Sequence, residues 1–566
     1  MCSTVNGDLQ SESTASKPKY SIIDLIGEWG PWQRRTVFLI FLCKIPAAWF
    51  MACIIFTAPF AKYGEFFCQQ PNTGLTPANH TEWINIAHPT TQDDQFDFCR
   101  VYKNRSEALL EWQQQQQQRL IVSSTSDTQN CDTFEHFSVF DSLVTQFDLI
   151  CSRTILIAVT QFFHLCGVLC GGILATKLLD FVSPRNVMLI GMLTQIISGC
   201  LTGLINNFSL HVFFRYLAAV CCALMYTPGV VIFSDITGGK YRKSVICLFE
   251  SFWGIGVILL PLIANLLPSW SWTSIYLAIS LPTVAYILVW FWIPDSPKWL
   301  LAHGEISAAK NCLFYAMRVN KRTSRLPSNF DSFLQLEAVT YSKAPKPENW
   351  TTLWSTKTQI IMMIALHSAW AVDVTNYNGM LLNIRVFGRN YLIINTVVCG
   401  CCEIIGVLTA WFIVMNANNH KFLCSGLFNV IAGILSFLGF TFPSTLSETT
   451  YVALGMTLAM ISKIATTCSQ AVLFTCTSEL VPTTRQKICM FSCVVWARIW
   501  LLTAPFVGAL TFVHNLFPLA AFGLIELCGG ICSCVIDRIH NASLAKIDKN
   551  ANEVFKDNQG VTTTHM

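Results

Sequence analysis

Twelve long apolar stretches divide this chain, and several carry a charged side chain well inside them. About 20 apolar residues in a helix match the roughly 30 Å hydrocarbon core of a bilayer. A charge inside such a stretch is costly in lipid, so it must face protein or a watery cavity. Many spans with a few interior charges describe a transporter or a channel, and they argue against a soluble enzyme. Only 12% of the residues are charged and 53% are hydrophobic, against about 25% charged in soluble domains. The net charge of +4 gives no footing for nucleic acid. Many of the 25 cysteines lie inside apolar stretches, as at Cys221, Cys222, Cys399, Cys401 and Cys402, where a thiol serves as a small hydrophobe.

The predicted spans run 37–58, 154–179, 187–206, 210–234, 244–266, 273–293, 358–384, 391–415, 421–441, 450–477, 487–512 and 516–536. Residues 1–36 are largely polar, and no cleavable signal peptide is expected there. Two long hydrophilic segments, 61–153 and 294–357, set six spans (37–293) apart from six more (358–536), followed by a polar tail, 537–566, expected to be disordered. Lys240, Arg242 and Lys243 follow span four, and the middle loop holds Lys298, Lys310, Arg318, Lys321, Arg322, Arg325, Lys343 and Lys346. Loops after spans three, five, nine and eleven have no Lys or Arg, whereas Arg385 and Arg389 after span seven run against the pattern. By the positive-inside rule both termini and the middle loop are cytoplasmic and the first loop is extracellular. That loop carries sequons at Asn79 and Asn104 and four cysteines, Cys68, Cys99, Cys131 and Cys151, enough for two disulfides with three pairings open.

The two halves echo each other. Ser234-Asp235-Ile236-Thr237-Gly238-Gly239-Lys240 follows span four, and Ser478-Glu479-Leu480-Val481-Pro482-Thr483-Thr484-Arg485 follows span ten. Each places a hydroxyl, an acid and a base at the same end of the fourth span of its half, as internal repeats around a central site would.

With these residues the chain resembles the organic ion transporters of the major facilitator superfamily, which include organic cation, carnitine and organic anion carriers. Gln146 to Cys151 is similar to the segment closing the family's extracellular domain, Ile293 to Leu300 to the signature after helix six, and Ser478 to Arg485 to that after helix ten. The resemblance covers nearly the whole chain. It implies an all-α membrane protein of the major facilitator fold, with twelve transmembrane helices in two six-helix bundles, located in the plasma membrane. The family's motif between helices two and three is reduced to Asp180, Pro184 and Arg185, and Asn416 to His420 replaces the charged motif after helix eight. The cytoplasmic gate is therefore expected to rest on other pairs: Asp235 or Glu479 with Arg185, Arg242 or Arg485.

The basic residues inside spans are Lys44, Arg215, Lys463 and Arg498, and the acids are Glu250, Asp373, Glu403 and Glu526. Carnitine and organic anion carriers, by resemblance, have Arg at the position of Arg498. A guanidinium holds a carboxylate through two parallel hydrogen bonds; the structural alternative is an ion pair with Glu403 or Glu250. Trp370, Asp373 and Tyr377 are spaced i, i+3 and i+7 on one helix face, and aromatic rings with a carboxylate suit an ammonium group. Glu250 and Trp253 share a face in span five, and Glu403 resembles an acidic position of the family. Lys463 is divided evenly between a cavity and an internal pair. Arg215, Lys44 and Glu526 are expected in structural pairs or gates.

Mixed charges fit a zwitterion or an amine with a polar second end, of the β-alanine, carnitine or carcinine kind. A broad organic anion or cation carrier, a channel, and a non-transporting sensor on the same fold are the alternatives. The expected partners are a small organic ion, membrane lipid and a coupling or exchange ion. No nucleophile–base motif, phosphate loop or metal spacing is present, so no enzyme activity, cofactor or metal is expected.

Overall fold

The computed structural model describes residues 21–59, 65–70, 80–90, 96–103, 127–137, 141–267, 271–342, 350–387, 391–417, 420–441, 447–510 and 517–562. Asn79 and Asn104, the two expected glycosylation positions, lie outside the described residues.

Among the described residues, twelve helices are long and apolar enough to cross a bilayer. Spans one to six are Pro31–Thr57, Cys151–Leu178, Pro184–Leu204, Phe208–Ile236, Gly239–Leu266 and Trp272–Trp290. Spans seven to twelve are Lys357–Leu382, Leu392–Asn416, Lys421–Gly439, Thr449–Glu479, Thr484–Ala509 and Phe517–Ala545. Local chemistry sets the ends. Pro184 opens span three where no intrahelical N–H is needed. Asn207, Thr356 and Ser447 cap spans four, seven and ten through their side-chain oxygens, satisfying otherwise orphaned amides. The tail departs from expectation: the last helix continues to Thr562. Its polar part has no proline, and Ala, Lys, Leu and Glu there favour helix.

Large apolar side chains such as Ile197, Leu288, Phe412 and Ile531 point outward, as lipid-facing residues should. Within the first half, span four packs on spans two and three, and span one on span five; within the second, span twelve packs on spans seven and nine, and span ten on spans eight and nine. The halves meet along two seams, span five against span eight and span two against span eleven. Glycine makes the first seam close. A Cβ on Gly400 would stand 2.9 Å from the carbonyl oxygen of Gly254, and one on Gly254 3.0 Å from that of Gly400. Small residues at such crossings let backbones approach without bulk between them.

The first loop builds two small antiparallel ribbons, Phe66–Cys68 with Phe134–His136 and Arg100–Tyr102 with Thr128–Asn130. Disulfides join Cys68 to Cys131 and Cys99 to Cys151. On the opposite face, helices Pro297–Ala302, Ile306–Val319 and Phe330–Ser342 of the middle loop share an apolar core with the short helix Ile22–Ile26. Asn320 fastens them: it donates to Ile26 O (2.9 Å) and Gln33 Oε1 (2.7 Å), and accepts from Trp32 N (3.0 Å).

Candidate functional site

Among the described residues, four spans place charged groups at mid-depth as two ion pairs, a partly buried one in the first half and a fully buried one in the second. Lys44 of span one meets Glu250 of span five at 2.9 Å. Its ammonium also lies over the rings of Tyr226, Phe249 and Trp253, at 4.9, 4.5 and 5.7 Å. Lys463 of span ten meets Glu403 of span eight at 2.9 Å, with side chains 1% and 0% exposed. It lies 3.6 Å from the Tyr377 ring centroid and donates to Tyr377 O at 2.6 Å. Aromatic faces and a carboxylate together offset the desolvation of each ammonium.

Arg498 stands apart. It is half-buried in the middle of span eleven, and among the described residues it forms no ion pair or hydrogen bond. The two acids considered as structural partners, Glu250 and Glu403, are taken by lysines. Its helix packs on span two, where His164 lies within electrostatic reach of Arg498 and has an unpartnered Nδ1. The guanidinium thus sits at the seam of the halves with its donors uncommitted.

The span-seven face is arranged differently from an open cage. Trp370 donates to Thr477 Oγ1 at 3.0 Å. Asp373 accepts from Asn429 Nδ2 at 2.7 Å and Ser469 Oγ at 3.0 Å. Tyr377 lies against Lys463. The three are 4%, 1% and 5% exposed and face spans nine and ten, inside the second bundle. They share a face, as the spacing requires, but it is covered by neighbouring helices.

Two expected structural pairs have neutral partners instead. Arg215 is fully buried and donates to Gln161 Oε1 at 2.6 Å, to the Tyr276 hydroxyl and to Cys53 Sγ. Glu526 accepts from Thr466 Oγ1. An amide, a phenol and a hydroxyl satisfy these groups without a counter-charge.

At the face bearing the middle loop, lysines hold the halves together. Glu479 takes Lys243 of the other half at 2.5 Å and Lys421 at 3.1 Å. Asp180 meets Lys487 across the seam at 3.5 Å. Trp411 Nε1 donates to Ser244 Oγ at 3.1 Å, from span eight to span five. The arginines expected here do other work. Arg185 stacks on Trp290 at 4.2 Å, Arg485 donates to Thr352 O at 3.1 Å, and Arg242 is exposed. Asp235 ties span four to the start of the middle loop instead, with Ser296 at 2.6 Å and Lys298 at 3.5 Å. Beside it, burial raises the Asp295 carboxyl above its ordinary value, opposed by the Ser183 hydroxyl and the N–H groups of Ser296 and Arg185.

At the opposite face, Arg385 donates to Ala58 O at 3.1 Å and Phe162 packs on Phe506 at 5.8 Å. Contacts between the halves therefore occur at both ends, with Arg498 between them. Sequence reasoning missed Lys243, Lys421 and Lys487. The signal was there, since Lys243 adjoins Arg242 and Lys487 lies two residues past Arg485.

Comparison with known proteins agrees with this architecture. The chain is 25% identical over 534 residues to an organic cation transporter-like protein of Drosophila melanogaster, covering 91% of this chain and 89% of that protein. It is 25% identical over 534 residues to solute carrier family 22 member 3 of Mus musculus, covering 89% and 90%. It is 24% identical over 529 residues to organic anion transporter 3 of Sus scrofa, covering 92% and 91%. The fold is that of the proton:xylose symporter XylE, with a TM-score of 0.57 at 13% identity, over 88% of this chain and 94% of that one. The sequence model of the Major Facilitator Superfamily matches residues 152–505, and the chain, a multi-pass membrane protein, belongs to that superfamily.

Proposed function

We propose that this protein is a secondary transporter of small organic ions in the plasma membrane, with both termini cytoplasmic, and that its substrate is a zwitterion or an amine with an anionic end. The observation that carries the reading is Arg498: a half-buried cation at mid-depth, on the seam between halves, with no acid paired to it among the described residues. A desolvated guanidinium without a partner is costly unless a ligand or water meets its donors. A substrate carboxylate supplies two acceptors in matching geometry. Glu250 and Trp253 offer the amine its site, with Lys44 holding the carboxylate until substrate arrives. The relatives' names, which include carriers of organic cations and an organic anion, support the class.

Alternating access follows from the seams. With substrate bound, Lys243–Glu479 and Asp180–Lys487 part and the halves rock about the five–eight and two–eleven contacts. The test is uptake of labelled β-alanine and labelled tetraethylammonium by cells expressing the chain, against mock cells. Uptake of β-alanine alone supports the mixed-charge site. Uptake of tetraethylammonium alone makes the protein an organic cation carrier and removes Arg498 from substrate contact.

A further inference from the structure

Lys44 and Glu250 each lie at a break in a span. Span one is built from the helices Pro31–Leu42 and Lys44–Ala52, interrupted at Cys43, and Pro46 has no N–H to return to the Leu42 carbonyl. Span five is interrupted at Phe249 and Glu250, between the helices Gly239–Leu248 and Ser251–Leu266. Interrupted spans at mid-depth are where carriers place ligand sites. Glu250 also stands one turn before Gly254, which meets Gly400 of the other half, so the pair borders the seam. It is not sealed: the Glu250 and Lys44 side chains are 17% and 9% exposed, against 0% and 1% for Glu403 and Lys463. Around Lys44 Nζ stand the Glu250 carboxylate at 2.9 Å and three rings from two spans, Tyr226, Phe249 and Trp253, with centroids at 4.9, 4.5 and 5.7 Å. All three are inside the roughly 6 Å reach of cation–π attraction. Tyr226 and Trp253 are half-buried. A carboxylate alone completes a structural pair; a carboxylate with three rings is a receptor for an ammonium ion.

We propose that the Lys44 ammonium is a tethered occupant of this site, and that it sets selectivity by making every incoming organic cation displace it. Wherever the lysine sits, the carboxylate and the rings are already satisfied. A simple organic cation gains nothing by entering, because it exchanges one ammonium for another. A substrate with an anionic end has a second anchor, Arg498, whose donors are uncommitted, and that contact offsets the loss of Lys44 from the cage. Lysine suits such a role, since its flexible four-carbon stem lets the charge leave while the helix stays in place. The pair of the second half cannot serve in this way, because both its side chains are closed off. The selectivity role rests on the carrier reading proposed above; the occupied site does not.

The test empties the cage. K44A removes the stem and leaves Glu250 and the three rings in place. Thermal unfolding of the purified full chain is followed with increasing tetramethylammonium, for the wild type, K44A, K44A/E250Q and K310M, the last a change in an exposed pair of the middle loop. Tetramethylammonium should stabilise K44A at concentrations lower by about tenfold or more than the wild type needs. The double variant and K310M should show no such gain. Equal response of K44A and the wild type, or a gain that survives in K44A/E250Q, overturns the proposal. Should K44A fail to fold, K44Q, whose shorter amide can still donate to Glu250 but carries no charge, decides in its place. In cells, labelled tetraethylammonium uptake per transporter at the surface should rise several-fold in K44A; binding gained without uptake gained overturns the selectivity role. If the wild type does not carry β-alanine, the substrate reading fails, while tetramethylammonium binding by K44A still decides whether Lys44 fills an ammonium site.

Discussion

Removing one member of the Lys463–Glu403 pair should cost far more than removing both. The two side chains are 1% and 0% exposed and 2.9 Å apart, so neither charge can turn to water when its partner is lost. Breaking a buried pair costs about 3–5 kcal/mol, whereas replacing both with neutral groups of similar size is often close to neutral. K463M leaves the Glu403 carboxylate against Tyr377; E403Q leaves an ammonium whose remaining partners are the Tyr377 carbonyl and ring. The second loss is therefore expected at the lower end, about 3 kcal/mol, and the first at the upper, about 5 kcal/mol. The assay is thermal unfolding of the purified protein in one detergent, for the wild type, both single variants and the double. The midpoint of each single variant should fall by several degrees, and the double variant should recover at least half of the larger loss. Additive losses, with coupling under about 0.5 kcal/mol, would refute the claim that the two charges exist for each other.

The remaining predictions concern the contacts between the halves and the docking of the N-terminal segment on the middle loop. The charge reversals K243E and E479K should each lower uptake and surface stability; the double K243E/E479K should recover part of the loss, although Lys421 now faces a lysine, and no recovery in surface-normalised uptake would reject this gate. G400A places a methyl 2.9 Å from Gly254 O and 2.6 Å from the Ile258 side chain. It should destabilise by about 1–3 kcal/mol and slow uptake, and an unchanged melting midpoint would mean that the five–eight seam is looser than described. N320A removes the hydrogen bond that ties Ile26 to the middle loop and two more that tie the loop to Trp32 and Gln33 at the start of span one. Limited proteolysis should then cut near residue 27 several times faster, with no change if apolar packing alone holds the helix.

Much of this was legible in the chain, for a physical reason. Hydrocarbon thickness fixes the length of a span, and lipid excludes charge, so twelve helices and the depth of Arg498, Lys463 or Glu526 can be read by counting. What a charge touches depends on the rotation of its helix. Trp370, Asp373 and Tyr377 do lie on one face, but spacing alone does not say that spans nine and ten cover it. Lys243 and Arg242 are neighbours in sequence, yet they project about 100° apart on a helix, which sends one to Glu479 and the other to the exterior. Arg215 is expected in a structural pair or gate, but its partners, Gln161 and Tyr276, lie 54 and 61 residues away and carry no charge to mark them. The four first-loop cysteines allowed three pairings, and the ribbon that sets Cys68 beside Phe134 is what brings it to Cys131.

The central claim is that Arg498 binds the anionic end of the substrate. Its most direct test is the concentration dependence of labelled β-alanine uptake by R498A and R498K, normalised to protein at the cell surface. A hydrogen-bonded pair with a charged group contributes about 1.5–3 kcal/mol, so R498A should lose about 10- to 150-fold in kcat/KM, and R498K should recover only part of it, because an ammonium cannot make the paired contact. Uptake by R498A with unchanged affinity and rate would contradict the account and leave the guanidinium a structural group.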